Sequence, residues 1–258
     1  MNRDSKLNGL LFLFVLMLGW ELIARMELLN PLIIPPLSKI FASFWSLTSS
    51  GQIPLQILAS MKRAAVGYLL AALIFIPLGV LMGLFDRIHR ALEVIIEMLR
   101  PIPPPVVIPV AILFFGLEDE MKIFVIFFSC AWPILINTVD GVRAVDPVLL
   151  NTARTFGLSQ GRIIRRVILP AAAPQIMTGL RVSLPITLIL VVISEMVGST
   201  DGIGYFILDS QRRFRVSQMY AGMLSLAILG YLLNQAFNLF HRSLLRWHWG
   251  LMRIKDEG

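Results

Sequence analysis

The charged side chains that could do chemistry in this sequence fall into two groups. The first lies in the longest polar stretch, Asp140–Pro174, which carries five arginines and two aspartates. The second consists of single charges inside or beside long apolar segments, at Glu21, Arg100 and Glu195. A charge within a membrane span is costly and usually serves a function. A hydrated position near the membrane surface would need no such function, and the sequence leaves both interpretations of these three residues open.

The motifs by which a chain binds nucleotide or a catalytic metal are absent from the sequence. It contains neither the phosphate-binding pattern GxxxxGK[ST] nor the zinc-binding pattern HExxH, and its three histidines are scattered at the edges of apolar segments. The single cysteine, Cys130, lies in an apolar segment, so no disulfide framework can form within one chain. The sequence therefore predicts a protein that is not an enzyme and that holds no cofactor or metal of its own.

The composition is that of a membrane protein. Of the 258 residues, 57% are hydrophobic and 15% are charged, whereas soluble domains carry about 25% charged residues. The net charge of +7 could suggest nucleic-acid binding, but no basic stripe with interleaved aromatic residues is present. Basic residues beside spanning helices set the orientation of the chain in the membrane instead. We therefore expect membrane lipid, and no nucleic acid, as a partner.

Long uncharged runs predict an all-α polytopic membrane protein with about six transmembrane helices. The N-terminus has the basic and apolar parts of a signal peptide, but no small-residue cleavage site follows, so we interpret it as a retained first span. A short amphipathic segment, Phe41–Leu47, is expected to lie at the membrane surface. The predicted spans are 7–29, 64–85, all or part of 91–117, 123–139, 175–198 and 216–240.

Five prolines between positions 101 and 109 interrupt the third of these segments. A regular helix cannot run through three consecutive prolines, because each one removes a backbone donor. One interpretation is a span that is broken at membrane depth and that is covered by protein or lines a wet cavity. The other is a surface helix followed by a separate span that begins near Pro104. The sequence favours neither.

The distribution of basic residues predicts which side of the membrane each loop faces. With six spans both termini lie on one side, and that side, which includes 140–174 and Arg181, holds fifteen of the 23 basic residues. Cytoplasmic loops carry an excess of lysine and arginine. The prediction is therefore that both termini and the polar stretch are cytoplasmic, although Arg212, Arg213 and Arg215 fall on the other side.

The polar stretch has the signals of two short amphipathic helices joined at a glycine. Asp146 and Pro147 predict a capped helix start, and Gly157 predicts its end in a left-handed conformation. Ser159 is expected to cap a second helix, which Pro170 ends. Two such helices held between spans are typical of a docking site for another protein. One face of the first helix carries Val148, Leu149, Thr152, Ala153 and Phe156.

The fifth predicted span contains polar residues at helical spacing. Ser183, Thr187 and Ser194 fall on one side of the helix and could line a polar translocation path, together with Arg100 and Glu195. In spanning helices such hydroxyl groups also donate to the backbone carbonyls of their own helix. Both interpretations of the three hydroxyl side chains are open.

The polar stretch resembles the cytoplasmic signature of a known family, the inner-membrane permease subunits of bacterial ATP-binding-cassette (ABC) importers. That signature reads EAA, three residues, G, nine residues and I-x-LP. Four identities match it in spacing, whereas Asn151 and Thr152 depart from the expected Glu and Ala, and Val167 is a near match. The departure leaves the helix–glycine–helix form intact. The corresponding positions are Asn151, Thr152, Ala153, Gly157, Val167, Leu169 and Pro170.

Three further segments are similar to the subfamily that serves sulfonate, taurine, nitrate and related importers: RPIPPPVVIPVAILFFG, WPILINTVDGVRAVDP and SEMVGSTDGIGYFI. The resemblance covers about residues 55–245. It implies a type I importer permease fold in the inner membrane and a small anion or organic acid as the solute. It also implies a second permease copy, two cytoplasmic ATPase subunits that bind the ATP, and an external solute-binding protein. The stretch 140–174 would then be the coupling helix that seats in the ATPase.

The implied organisation is an N-terminal transmembrane helix and outer loop at 1–55, a permease core at 56–241 and a cytoplasmic tail at 242–258. Two other functions are alternatives. A self-contained channel or ion-coupled carrier would need charges at the membrane midplane and inverted repeats, and the sequence shows neither clearly. A membrane scaffold would bind an ATPase and move no solute.

Overall fold

The computed structural model describes residues 3–26, 30 and 33–244, without the side chains of 3–10, 13 and 244. Every regular element in this part of the chain is helical. The end of the first predicted span, 27–29, and most of the predicted tail, 245–258, lie outside the described residues. The helices are α1 (Arg3–Arg25), α2 (Leu37–Ser49), α3 (Gln52–Leu84), α4 (Asp86–Leu99), α5 (Ile108–Phe115), α6 (Asp119–Arg143), α7 (Pro147–Thr155), α8 (Gln160–Ile163), α9 (Leu169–Gly198), α10 (Ile203–Arg212) and α11 (Val216–Leu244).

Within the described residues, four helical stretches are long and apolar enough to cross a membrane. A bent pair made of α4 and Pro104–Phe115 could supply a fifth span. The polytopic all-α architecture is thereby confirmed. α1 has 23 residues, a length of roughly 34 Å, and is the remaining span that the sequence predicts. The four stretches are Gln52–Leu84, Asp119–Arg143, Gln160–Gly198 and Val216–Ser243.

The chain divides into two compact units, the first of which comprises residues 1–60 and 200–229. In this unit the Glu21 carboxylate accepts hydrogen bonds from Ser38 Oγ (2.8 Å) and from the Ser38 amide (3.2 Å), in the first turn of α2. No side chain of α2 caps its own start. Glu21 therefore supplies an acceptor that the beginning of a helix lacks, which gives this charge a structural role.

The start of α10, a helix that the sequence analysis did not identify, is fixed in the same way within the first unit. Gln56 Oε1 accepts a hydrogen bond from the Gly202 amide (2.6 Å), and Ser60 Oγ accepts one from the Ile203 amide (2.8 Å). Two polar side chains of α3 thus satisfy the first amides of α10, which has no cap from its own sequence.

The second unit comprises residues 61–199 and 230–258 and is built around α6 and α9. These helices pack antiparallel and very closely, because a Cβ on Gly179 would lie 2.8 Å from Pro133 O and 2.9 Å from Asn137 Cβ. α3 approaches α6 equally closely where Gly67 faces Ile126. Small residues permit such contacts between spanning helices, whose association gains little from the hydrophobic effect in lipid. α6 is consequently enclosed along most of its length.

The proline-rich segment forms a sharp elbow in the second unit. A 3-10 turn (Pro104–Val107) leads into α5. Together they form the helical stretch Pro104–Phe115, whose axis is bent by 90° from that of α4. The turn has four residues and α5 has eight, whereas a separate span needs about 20 residues. The interpretation of a separate span that begins near Pro104 is therefore wrong, and the structure has a broken helix pair. α4 packs on the core through Ile88, Leu92 and Ile96.

Candidate coupling surface and the charged groups of the second unit

α7 begins where the sequence predicts it. The Asp146 carboxylate accepts a hydrogen bond from the Val148 amide at 2.8 Å, and Pro147 occupies the first helical position. The first amides of a helix have no acceptor within it, so this bond satisfies one of them. The prediction of a capped helix start at Asp146 is confirmed.

The end of α7 is also fixed by backbone hydrogen bonds. Gly157 has a φ of +72°, and its amide donates to Arg154 O at 2.9 Å. The Leu158 amide donates to Ala153 O at 3.1 Å. Together these bonds form a Schellman motif, which satisfies carbonyls that a helix end leaves open and needs a left-handed residue. The predicted role of Gly157 in ending the helix is confirmed.

The apolar residues of α7 are divided between the core and the surface. Ala153 is buried against a cluster that includes Ile163 and Ile168. Phe156 is 78% exposed and Val148 is 67% exposed. Neighbouring exposed apolar side chains are typical of a contact surface for another molecule. Because α7 is capped at both ends, it presents these side chains from a rigid element.

The same segment also exposes polar residues. The Arg154 guanidinium donates to Asn151 Oδ1 at 3.4 Å, which is a long contact. Ser159 occupies the N-cap position of α8, as predicted, but its hydroxyl accepts from Arg162 Nε (3.1 Å) and from no backbone amide. We define the coupling surface as the exposed side chains of Val148, Leu149, Arg154, Phe156 and Arg162.

Pro170 does not end a helix, contrary to the prediction from the sequence. The helical path continues without interruption from Gln160 to Gly198. A π turn at Ile164–Ile168 precedes Pro170, and in it the Leu169 amide donates to Ile164 O. The wider turn makes room for the proline ring, which would clash in a regular α-helix, and tolerates the missing amide donor of Pro170. As a result α8 is joined to α9 by continuous helix.

Three of the seven positions of the family signature, Ala153, Val167 and Leu169, meet in one apolar cluster. Asn151 and Thr152 are exposed on α7, and Ala153 is buried beneath them. Val167 and Leu169 are half-buried and pack against the same cluster as Ala153. The signature therefore describes how α7 and the start of α9 are held against each other, with its first two positions left on the surface.

A second group of four charges, three of them buried, lies at the opposite end of α6. Arg63 Nη1 donates to Glu195 Oε1 at 2.9 Å, and Arg63 Nε donates to Asp119 Oδ1 at 2.6 Å. Lys122 Nζ donates to Leu117 O at 2.8 Å and lies 3.9 Å from Asp119 Oδ1. Arg63 is 5% exposed and Glu195 is 1% exposed. We call Arg63, Asp119, Lys122 and Glu195 the buried charge cluster.

The cluster changes the interpretation of Glu195. The expectation that its side chain is hydrated is wrong, because the side chain is fully enclosed and bonded to Arg63, although Glu195 does lie near the end of α9. Buried charges are tolerated when they are paired and hydrogen-bonded. The two residues are 132 positions apart in the sequence, so no local pattern could have revealed the pair.

The polar residues that could line a path along α9 are not exposed. Ser183, Thr187 and Ser194 are each at most 3% exposed. Their hydroxyls donate to the carbonyls of Leu180, Ser183 and Val191 of the same helix, which is the second of the two interpretations of these residues. Arg100 is exposed at the end of α4. The structure does not bring these residues together into one path.

A different row of residues forms the exposed side of α9. Arg181, which the sequence analysis assigned to the cytoplasmic loop, lies within the helix and is exposed. The helical spacing of this row would have been visible in the sequence, but the burial of the opposite row is a property of the packing against α6. The row consists of Gln175, Thr178, Arg181, Val182, Pro185 and Ile189.

Comparison with known proteins identifies relatives along most of the chain. The permease protein SsuC of Bacillus subtilis (strain 168), provisionally named for aliphatic sulfonate transport, is 34% identical over 246 residues, which are 95% of this chain and 89% of that protein. The bicarbonate transport system permease protein CmpB of Synechococcus elongatus is 36% identical over 192 residues, which are 74% of this chain and 69% of that protein.

The fold is also found among solved structures. A structure of the MetNI methionine ABC transporter in an inward-facing conformation aligns with a TM-score of 0.61 and 22% identity, over 71% of this chain and 92% of that chain. Residues 75–248 match the family described as the binding-protein-dependent transport system inner membrane component. The chain therefore belongs to that family and is a multi-pass inner-membrane component of a transporter, not its catalytic subunit.

Proposed function

We propose that this chain is the translocation subunit of an ATP-driven importer and that an ATPase subunit docks on the coupling surface. The observation that carries the proposal is the coupling surface itself, which combines exposed apolar side chains and Arg154 on a helix capped at both ends with Arg162 on the next helix. The chain has no nucleotide-binding motif, so the energy of ATP has to enter through a contact with another subunit.

Movement of an ATPase could reach the spans through the core beneath α7. Val145, Ala153 and Ile168 belong to one buried cluster, which joins the end of α6, α7 and the start of α9. Packed helices move as rigid bodies rather than deform continuously. A shift of α7 would therefore be passed to α6 and α9 together, and this supports the assignment of Asn151, Thr152, Ala153, Gly157, Val167, Leu169 and Pro170 as coupling residues.

The proposed orientation places the coupling surface and both termini in the cytoplasm, where ATP is available. The excess of basic residues on that side supports it. A second permease copy would complete the path across the membrane, and an external binding protein would deliver the solute. We infer both partners from the family to which this chain belongs.

We also propose that the solute is a small oxyanion. SsuC is provisionally named for aliphatic sulfonates and CmpB is named for bicarbonate. Sulfonate and bicarbonate both carry a negative charge shared among several oxygen atoms. The similarity of this sequence to the importers of sulfonate, taurine and nitrate supports the same class of solute.

The test is reconstitution of the whole transporter. The chain is purified from native membranes together with the proteins that bind it, and the complex is reconstituted in lipid vesicles with the binding protein. Uptake of labelled taurine, an alkanesulfonate, bicarbonate and nitrate is measured with and without ATP on the side of the coupling surface. We expect ATP-dependent uptake of at least one of these anions.

The same experiment separates the alternatives. Uptake without ATP, or driven by an ion gradient, would identify a channel or an ion-coupled carrier. ATP hydrolysis by the complex without movement of any solute would identify a scaffold. ATP-dependent uptake of only cationic or neutral solutes would support the importer and contradict the oxyanion.

A further inference from the structure

Arg181 lies at the middle depth of the spanning helices. α6 has no charged residue from Ile123 to Val139, and the middle of this run is Ala131. α9 runs antiparallel to α6, with Gly179 against Pro133 O and Ser183 O 3.8 Å from Cys130 Sγ. Arg181 is between these two contacts, so it is level with the middle of the uncharged run of α6.

The side chain of Arg181 is exposed on the surface of the single chain. Among the residues that the structure describes, none forms a hydrogen bond or an ion pair with it. In the same helix the other charge, Glu195, is enclosed and bonded to Arg63. The fold therefore provides a partner for one ionised group of α9 and leaves the other one turned outwards at membrane depth.

Lipid is an unfavourable surrounding for this arginine. A guanidinium group at the middle of a bilayer lacks the hydrogen-bond acceptors that water or protein supplies, and such groups face a water-filled cavity or the interior of a bundle. Towards the N-terminal end of α9, the next residues of the exposed row are also polar. Thr178 is one turn away, and Gln175, two turns away, donates to Asn137 Oδ1 at 3.1 Å. The cytoplasmic half of this side of α9 is therefore a polar strip.

We propose that Gln175, Thr178 and Arg181 line the aqueous translocation path and that Arg181 contacts the oxyanion as it passes. This inference rests on the proposed function, since it assigns the site at which the proposed solute is recognised. Charge complementarity selects the occupant: arginine offers several donors in a plane that fits a carboxylate, bicarbonate or sulfonate group. The path thus runs along the exposed side of α9 and not along its buried hydroxyl side.

The first test compares transport by variants of the reconstituted complex. The Arg181→Gln variant should transport the oxyanion at least about tenfold more slowly, because a charge-assisted contact with the solute is lost, and Arg181→Lys should retain part of the rate. ATP hydrolysis stimulated by the loaded binding protein should stay near the wild-type level in both. The control is Lys39→Gln, which removes an exposed positive charge from α2 and should leave transport unchanged.

The second test asks whether position 181 faces water and whether its charge is what matters. In a Cys130→Ala background, the Arg181→Cys variant should react with water-soluble methanethiosulfonates, and the oxyanion should slow the reaction. Aminoethyl methanethiosulfonate, which restores a positive charge, should recover transport, whereas the negatively charged sulfonatoethyl reagent should not. The Leu73→Cys variant is the control at matched depth, because Leu73 is 72% exposed in the middle of the uncharged run of α3.

The outcomes distinguish this inference from the proposed function. If the wild-type complex moves no anion, the proposed function fails. If the wild type moves an anion and Arg181→Gln moves it equally fast, the proposed function stands and the role of Arg181 is overturned. The role of Arg181 would also be overturned if Arg181→Cys failed to react or if Leu73→Cys reacted equally fast. Equal recovery of transport with both reagents would overturn it as well.

Discussion

The two ends of the second unit use charge in opposite ways. At the coupling surface, Arg154 on the capped helix α7 and Arg162 on α8 are exposed, as are the apolar side chains of the same surface. At the opposite end, Arg63 and Glu195 are almost fully enclosed and bonded to each other. In the sequence both groups look alike, as charged residues next to apolar spans.

This difference in burial indicates whether the interaction partner of each charged group lies within the chain or outside it. The buried charge cluster is complete within the chain, so its contribution is to the stability of the bundle. The coupling surface has no apolar partner within the part of the chain that the structure describes, as the proposed contact with an ATPase subunit requires. Substitutions at the two ends should therefore separate into those that lower stability and those that lower coupling.

The largest loss of stability is expected from Glu195→Ala. Removing one partner of a buried ion pair leaves the other charge poorly compensated, which costs about 3–5 kcal/mol. We expect a clearly lower thermal unfolding midpoint and less folded complex in detergent. The measurement is size-exclusion chromatography after heating, with the wild-type complex alongside.

Two further variants control for this effect. Asp119→Asn should be milder, because the side chain of Asp119 is 43% exposed and water can replace its contacts. The double variant Arg63→Met with Glu195→Met should recover much of the lost stability, since apolar residues can replace a buried pair at little net loss. An unchanged midpoint for Glu195→Ala would contradict the assignment of the cluster as a stabilising element.

The parts of the fold that depend on neighbouring residues could be predicted from the sequence. Asp146 and Gly157 act through bonds between residues within five positions, and Pro147 acts through its own ring, so local chemistry is enough to locate α7. The spans could be predicted for the same reason, because each one is a continuous run of uncharged residues in the sequence. The Pro170 prediction was wrong because a π turn upstream, which has no sequence signal of its own, makes room for the ring.

The parts that depend on packing could not be predicted. Ser183 and Arg181 are two positions apart in one helix, and only the contact of α9 with α6 decides that the first is buried and the second exposed. The pairing of Arg63 with Glu195 likewise requires α3 and α9 to be placed side by side. Helical spacing can identify a row of residues that share a side, but not what that side faces.

Gly157→Val should uncouple ATP hydrolysis from transport with a smaller loss of stability. A β-branched residue at a φ of +72° is strained by about 1–2 kcal/mol, although no atom would lie within 4 Å of its Cβ. The strain should change the end of α7 and hence the direction of Phe156. We expect transport to fall about tenfold while ATP hydrolysis continues, measured in the reconstituted complex.

The matched controls for Gly157 are an asparagine at the same site and an alanine at Gly161. Gly157→Asn should remain coupled, because asparagine tolerates the left-handed conformation. Gly161 also has open space around it and no positive φ, so Gly161→Ala should behave as wild type. Normal transport by Gly157→Val at normal expression would remove the coupling role from this position.

Phe156→Ser should weaken the ATPase contact and leave the stability of the chain unchanged. Burial of a phenylalanine in an interface contributes about 1.5–3 kcal/mol, so the dissociation constant for the ATPase should rise about tenfold or more. Phe214→Ser is the control, because Phe214 is also 78% exposed and lies outside the coupling surface. Equal binding by the two variants would mean that the ATPase docks elsewhere.

The smallest effect is expected from Asp146→Ala, which removes the cap of α7. Loss of an N-cap costs about 1 kcal/mol of local helix stability, so amide hydrogens in the first turns of α7 should exchange about fivefold faster while the unfolding midpoint barely changes. Ser159→Ala is the matched control, because the Ser159 hydroxyl caps no backbone amide, and it should leave exchange unchanged. Equal exchange in the two variants would show that α7 is ordered by the packing of Ala153 in the buried cluster and not by its cap. The shape of the coupling surface would then depend on the core beneath it.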